Sequence, residues 1–175
     1  MQQVHYFSYT TRLGPVIIAD NGAAITHLLI GDAAANFQSS ENSRLTPPPI
    51  LKETPLIREA HQQLEDYLSG ARQTFDLPIA PTGTDFQKNV WSALRQIPYG
   101  TTQTYADIAK SIGSPSASRA VGTACGRNPI LIITPCHRVI GTNGKLTGFA
   151  AGLDVKTTLL QLEHVLPAAT AHDPN

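Results

Sequence analysis

The chain has 175 residues, 41% of them hydrophobic, a size and composition that suit one globular domain or two small ones and exclude a membrane protein. No apolar run approaches the roughly 18 residues that span a bilayer, and the N-terminus lacks a secretory signal, so we expect a cytoplasmic protein with no membrane partner. The net charge is zero, but residues 1–84 hold five Lys/Arg against eight Asp/Glu, and residues 85–175 hold eight against five. The positive excess of the second half permits a polyanionic substrate.

The first half is predicted to form a small α/β unit. Three β-prone runs, the last preceded by an Asn-Gly turn signal, indicate a β-meander: 5–12, 16–19 and 24–30. Residues 32–53 are polar and are expected to be irregular. Thr54 as N-cap and Pro55 at the first helical position predict a helix that ends before Gly70.

The second half is predicted to be mainly helical. Apolar spacing and turn residues predict helices at about 85–97, 104–112, 116–125 and 153–166. The second and third of these are short and joined by a Gly-containing turn, which is typical of a helix-turn-helix. Residues 130–133 are interpreted as a short apolar strand, and the Gly-rich turn at 141–145 predicts that a wing or hairpin follows. The proposed divisions are residues 1–80, a linker at 81–84, residues 85–167 and a tail at 168–175.

The chemistry-bearing stretch is Pro135-Cys136-His137-Arg138. A thiol reacts as the thiolate, and adjacent cations stabilise a thiolate, so we expect His137 and Arg138 to lower the pKa of Cys136. If this segment is extended, neighbouring side chains point in opposite directions, so a water or a local turn must connect His137 to the thiol. The alternative is that Cys136 is a small buried hydrophobe.

Two other interpretations of the cysteines stay open at this point. A structural disulfide between Cys125 and Cys136 is one, although two cysteines do not make a disulfide framework. A zinc site that uses both cysteines with His137 and His164 is the other, but these spacings match no common metal-binding motif. We therefore expect neither a metal nor a cofactor.

These residues together resemble the O6-alkylguanine-DNA alkyltransferases, or methylated-DNA–protein-cysteine methyltransferases. The run 135–140 matches the active-site signature of that family, and the likeness extends in order from Phe86 to Glu163. The resemblance implies an α+β fold, with an RNase H-like α/β domain followed by a helical, winged-helix-like DNA-binding domain. It further implies a monomer that binds the minor groove of double-stranded DNA containing an alkylated guanine and flips that base into a pocket.

The resemblance also implies the roles of the central residues. Cys136 would attack the alkyl carbon of O6-alkylguanine, and of O4-alkylthymine in some members, and would be consumed in one turnover. His137 would take the thiol proton through a water and would be oriented by Glu163. Asn128 would brace the turn that carries Cys136.

Further positions are carried over for DNA and for the base. Tyr105 would rotate the phosphate and help to protonate the departing guanine, and Arg119 would fill the gap left by the flipped base. Ser114 and Thr142 match positions of backbone contacts to DNA. The expected pocket residues are Val139, Phe149, Ala150 and Ala151.

The chain departs from the family pattern at three positions near the pocket. Thr134 replaces an apolar residue, Phe149 replaces a Tyr, and Ala151 stands where many members have Gly. An added methyl at 151 could exclude bulky adducts such as benzyl. Two other functional classes are alternatives: a non-catalytic damage-binding relative, which would lack the cysteine nucleophile, and a helix-turn-helix regulator, for which the sequence shows no inducer or dimer module.

Overall fold

A four-stranded sheet organises the first half of the chain. The computed structural model describes residues 2–37 and 45–168. The strands are β1 (His5–Thr11), β2 (Gly14–Asp20), β3 (Ile25–Ile30) and β4 (Ile50–Leu51). Their order is β3-β2-β1-β4, with antiparallel pairing along the first three strands and a parallel pairing of β4 with β1. The predicted meander is thus confirmed.

Both faces of β2 are covered, which explains its continuous apolar run. Val16 and Ile18 point into the main core, whereas Ile17 and Ala19 pack with Phe37 on the opposite face. This alternation follows from the two-residue period of a strand. The face with Val16 and Ile18 joins the core that includes the second half of the chain, whereas the opposite face is covered by residues of the first half alone.

The stretch 32–53 was predicted to be irregular, and this was wrong in part. It contains a short helix, α1 (Asp32–Ala35), as well as β4. Two residues suffice for β4 because the strand only extends the edge of an existing sheet. Residues 38–44 lie outside the described part of the chain.

The long helix α2 (Pro55–Leu68) packs one face on the sheet, as its apolar pattern predicts. Thr54 caps it, accepting a hydrogen bond from the Ile57 amide at 3.1 Å. Its face toward the core carries Ile57, Leu64 and Tyr67, all without exposed surface. The helix therefore directs Tyr67 toward the second half.

Four helices of the second half lie close to their predicted positions. They are α3 (Asp85–Leu94), α4 (Tyr105–Ser111), α5 (Ser118–Gly126) and α6 (Leu153–Leu162). Capping boxes at Thr84 and Thr104 fix the starts of α3 and α4. Strands β5 (Gln103–Thr104) and β6 (Val139–Ile140) pair in parallel beside them. The helix prediction is confirmed, although α6 ends four residues earlier than expected.

The strand predicted at residues 130–133 was wrong. Residues 130–133 form a tight turn rather than a strand, with Ile132 in the left-handed region at φ 69°. The backbone reverses there because the amide of Thr134 bonds to the carbonyl of Ile130 at 3.0 Å. Residues 141–152 turn tightly at Gly144 but carry no strand, so the wing is a loop and not a hairpin.

The two halves share one continuous core. Backbone hydrogen bonds join Leu28 of β3 to Pro129 and Leu131, each at 2.9 Å. The Trp91 indole fits closely against Gly83, where a Cβ would lie 2.5 Å from the ring. Among the described residues, no helix has the length and apolar character to cross a membrane.

Candidate active site

A 3₁₀ turn places Cys136 at the centre of the site. Residues Cys136–Arg138 form this turn directly after Pro135, so successive side chains diverge by roughly one third of a circle instead of alternating. Asn128 braces the turn from the end of α5. Its Nδ2 donates to the Thr134 carbonyl at 2.8 Å and to Cys136 Sγ at 3.3 Å, and its Oδ1 accepts from the Ile130 amide. The predicted position of Asn128 beside the thiol is observed.

The Cys136 thiol is buried, with 4% of its surface exposed. Burial raises its pKa to about 11, while the hydrogen bond from Asn128 and the charge of Lys156 oppose that rise. The expectation that the neighbouring cations lower the thiol pKa was therefore wrong. Arg138 does not serve the thiol, because its guanidinium is engaged by Glu163 and by the carbonyl of Ile97. The thiol is neutral at rest and needs a base in order to react.

The base beside the thiol is His137, and the carboxylate of Glu163 holds it in position. His137 has no exposed surface, and its Nε2 lies 2.9 Å from Glu163 Oε1. An ionised carboxylate only accepts, so Nε2 carries the proton and Nδ1 is left as the acceptor. Nδ1 is buried and has no hydrogen-bond partner among the residues that the structure describes. Burial lowers the pKa of His137 despite the nearby Glu163 charge. A neutral imidazole with a free basic nitrogen is the result.

Both carboxylate oxygens of Glu163 accept several hydrogen bonds. Burial alone would raise its pKa, but hydrogen bonds from His137 and Arg138 hold that pKa well below its usual range. Arg138 Nη2 donates to Oε1 at 2.7 Å and Nε donates to Oε2 at 2.9 Å. Tyr67 donates to Oε1 at 2.6 Å, and the Gly100 amide donates to Oε2 at 3.3 Å. The carboxylate is thus fixed in position and stays charged.

A cavity of about 290 Å³ opens onto the thiol. It is lined by both cysteines together with small and aromatic residues: Tyr105, Gly122, Cys125, Gly126, Cys136, Gly148, Phe149 and Ala150. Of the expected pocket residues, Phe149 and Ala150 line this cavity, and Tyr105, for which a catalytic and DNA-contacting role was expected, lines it as well. Cys125 is reduced in this arrangement, so the disulfide interpretation is not observed.

Two of the expected pocket residues lie outside the lining of this cavity. Val139 is fully buried in the core, where its carbonyl accepts from Lys156 at 2.7 Å. Ala151 is half-buried and packs against the core. The structure thus places Phe149 and Ala150, but not Val139 and Ala151, in the lining of the cavity.

The residues expected to contact DNA lie at the surface around the helix-turn-helix. Arg119 is exposed in the first turn of α5, and Ser114 is half-buried between α4 and α5. Thr142 is exposed in the loop after β6. The Tyr105 hydroxyl, at the start of α4, accepts from the Thr147 hydroxyl at 3.1 Å. In the described ranges, no group of three or more His, Cys, Asp or Glu side chains could hold a metal ion.

Sequence reasoning missed two residues of the site. Lys156 is fully buried on α6, and its Nζ donates to the carbonyls of Val139 and Thr147 at 2.7 and 2.8 Å. Its position on the apolar face, three residues before Leu159, was the available signal. The second is Tyr67, and no local pattern reveals that its hydroxyl reaches Glu163, 96 residues away.

Comparison with known proteins decides the family. The model described as the DNA-binding domain of 6-O-methylguanine DNA methyltransferase matches residues 85–165, and that of its ribonuclease-like domain matches residues 4–81. The chain belongs to the 6-O-methylguanine DNA methyltransferase family. The predicted family and fold class, a ribonuclease-like domain followed by a DNA-binding domain, are confirmed.

Individual members of this methyltransferase family align over nearly their whole length. A methylated-DNA–protein-cysteine methyltransferase of Methanosarcina acetivorans is 48% identical over 91% of this chain and 98% of its own. A constitutive one from Bacillus subtilis is 44% identical over 92% and 96%. The crystal structure of Mycobacterium tuberculosis OGT in complex with DNA is 43% identical, with a TM-score of 0.79, over 91% of this chain and 92% of that one.

Proposed function

We propose that the protein repairs DNA by transferring the methyl group of O6-methylguanine irreversibly to Cys136. The observation that carries this proposal is the buried thiol whose neighbour, His137, is held 2.9 Å from Glu163 with a basic nitrogen free. The sulfur attacks the methyl carbon, a carbon–sulfur bond forms, and the bond from that carbon to O6 of guanine breaks. Membership of the methyltransferase family supports the same reaction.

The proton follows a separate path. As sulfur attacks, the thiol proton passes to His137 Nδ1 through a bridging water, and Glu163 stabilises the resulting imidazolium. The departing guanine takes up a proton that the Tyr105 hydroxyl, in the lining of the cavity, donates, and Tyr105, which is partly exposed, regains a proton from solvent. Burial raises the pKa of Tyr105, so this hydroxyl is protonated at neutral pH. No metal or cofactor enters the balance.

Cys136 acts once per molecule. The product is a thioether, whose thiolate is a poor leaving group toward water. Cys125 lines the same cavity, but burial raises its pKa to about 12, and a neutral thiol does not displace an alkyl group from a thioether. The protein is therefore a stoichiometric alkyl acceptor.

The substrate is proposed to be double-stranded DNA approached from the minor groove. Arg119 would occupy the gap that the flipped base leaves, and Ser114 and Thr142 would contact the backbone on either side. All three lie at least partly exposed, and the second half of the chain has the basic excess that a DNA partner requires. Flipping is needed because the cavity lies inside the protein, beyond the reach of a stacked base.

Other aspects are proposals of the same kind. The protein acts as a monomer in the cytoplasm, with residues 1–80 and 85–167 as domains joined at 81–84. Phe149 and Ala150, which line the cavity, would set the tolerated size of the alkyl group and the reaction with O4-alkylthymine. Comparing rates on methyl- and benzylguanine tests that role.

The decisive experiment is intact mass measurement after incubation with a duplex containing O6-methylguanine. Transfer predicts a gain of one methyl on Cys136 and restoration of guanine in the DNA. The Cys136→Ala variant should bind the duplex without any mass gain. Tight binding by the unaltered protein without a mass change would instead indicate a damage-binding protein and would contradict the proposal.

A further inference from the structure

A tyrosine from the first half of the chain reaches the relay carboxylate of the second half. Tyr67 lies on α2 and has no exposed surface. Its hydroxyl donates to Glu163 Oε1 at 2.6 Å. This is the same oxygen that His137 Nε2 approaches at 2.9 Å. The two donors therefore share one acceptor atom.

Packing of the Tyr67 ring orients its hydroxyl toward Glu163. The Tyr67 ring packs against Phe75 in a tilted contact and against Tyr99 edge-on, at centroid distances of 5.4 and 6.1 Å. These contacts fix the direction of the hydroxyl independently of Glu163. A phenylalanine would fill the same space, so packing alone does not require the oxygen atom. The hydroxyl thus has a purpose other than filling the core.

We propose that Tyr67 is a positioning residue of the proton relay, whose hydroxyl on Glu163 Oε1 limits how strongly His137 holds the proton taken from Cys136. The inference rests on the function proposed above and adds to it a contribution from the first half of the chain. Tyr67 acts through Glu163 and does not touch the reacting atoms.

The direction of the effect follows from electrostatics. A carboxylate stabilises the imidazolium beside it, and each further donor on the same oxygen reduces the negative charge that the imidazolium feels. With the Tyr67 hydroxyl present, His137 releases its proton more readily and stays neutral at lower pH. Without it, Oε1 is more basic, and the pKa of His137 rises.

Other charged and titratable side chains surround the His137–Glu163 pair. Arg138, on the same turn, binds both carboxylate oxygens. Lys156 on α6 acts on His137 through its charge, in the direction that lowers the pKa. Tyr99, after α3, donates to the Leu162 carbonyl at 3.2 Å and not to the carboxylate. The Cys136 thiol is neutral at rest because burial raises its pKa. None of these contacts involves the Tyr67 hydroxyl as donor or acceptor.

The test is the pH dependence of single-turnover methyl transfer by the full chain, from about pH 5 to about pH 9, where histidine titrates. We expect the acid limb of the Tyr67→Phe variant to move upward by about one pH unit. On the acid side the rate should fall about tenfold, because the neutral fraction of His137 falls by that factor. The plateau at higher pH should stay within about twofold of the unaltered protein, which a general loosening of the site would not allow.

Tyr99→Phe is the matched control. It removes a hydroxyl beside the same ion pair and leaves the ring over Arg138, where the guanidinium carbon lies 5.7 Å from the centroid. Its acid limb should coincide with that of the unaltered protein. An unmoved limb in Tyr67→Phe, or an equal shift in both variants, would overturn the assignment.

Two further measurements test the role of Tyr67, including the case in which Tyr67→Phe does not fold. Replacing Tyr67 with 3,5-difluorotyrosine keeps the packing and makes the hydroxyl a stronger donor. The acid limb of the pH–rate profile should therefore move to lower pH. An acid limb that stays in place or moves to higher pH would refute the role of Tyr67, even if Tyr67→Phe failed to fold. Titration of His137 by nuclear magnetic resonance reads the same pKa without DNA. If the unaltered protein transferred no methyl group, the proposed function would fail, while an unchanged His137 titration in Tyr67→Phe would separately overturn this inference.

Discussion

Replacing Lys156 with methionine separates the electrostatics of the active-site thiol from its packing. Lys156 is fully buried, and its Nζ donates to the Val139 and Thr147 carbonyls at 2.7 and 2.8 Å. Methionine has a similar length and no charge. The substitution therefore removes the ammonium that opposes the rise in the Cys136 pKa, along with the two bonds that connect β6, at Val139, with the loop after it, at Thr147.

The expected magnitude has two parts. Each hydrogen bond from a charged donor is worth about 1.5–3 kcal/mol, but the variant no longer buries an ammonium, so we expect a net loss of about 2 kcal/mol in the free energy of unfolding. Loss of the positive charge should raise the Cys136 pKa by about one unit. At a pH below that pKa, the thiolate fraction falls about tenfold.

Alkylation of Cys136 by iodoacetamide, followed by intact mass, measures the thiolate without DNA. Cys125 is distinguished by peptide mapping, and urea unfolding gives the stability. Lys145→Met is the control, since Lys145 is an exposed lysine of the same loop and should change neither quantity. If Lys156→Met alkylated at the unaltered rate across the pH range, the ammonium would have no influence on the thiol and the reasoning would fail.

Three further predictions concern stability and the reaction with duplex DNA. Thr134→Val should raise the free energy of unfolding, measured in urea, by about 1 kcal/mol, because the buried Thr134 hydroxyl has no partner within residues 2–37 and 45–168; a loss of stability would contradict this. Burial lowers the pKa of His27 to about 4 and also that of His137, so the unfolded chain binds more protons as the pH falls below about 6.5. Stability should therefore decline on the acid side of that value, and a flat urea midpoint down to about pH 5 would refute the assignment. Arg119→Ala should slow transfer from duplex DNA more than reaction with the free base, and equal effects would remove its role in flipping.

The structural features that could be predicted from the sequence depend on residues that lie close together in the chain. Thr54, Thr84 and Thr104 cap helices through atoms three residues away, so those helix starts follow from short patterns. The turn at Ile132 could not be predicted in this way, because a β-branched residue disfavours the left-handed region and only the surrounding bonds impose it.

The polar connections of the site depend on contacts distant in sequence. Arg138 stands two residues from Cys136 and was expected to serve the thiol, but Glu163, 25 residues away, engages it instead. The competition between a thiol and a carboxylate for one guanidinium is decided by their positions in the fold. The resemblance to the methyltransferase family supplied Glu163 and Asn128, and it left the loop conformation and the extent of the cavity to the structure.

The hydrogen bonds between β3 and residues 129–131 bear on how the molecule unfolds. They attach the segment that leads into Cys136 to the sheet of the other half, within a core that runs through both. Opening the sheet would expose that shared core and release the active-site turn at the same time. The two halves should therefore lose their structure in one cooperative transition, with matching calorimetric and van't Hoff enthalpies, and a partly unfolded molecule would not retain a reactive cysteine.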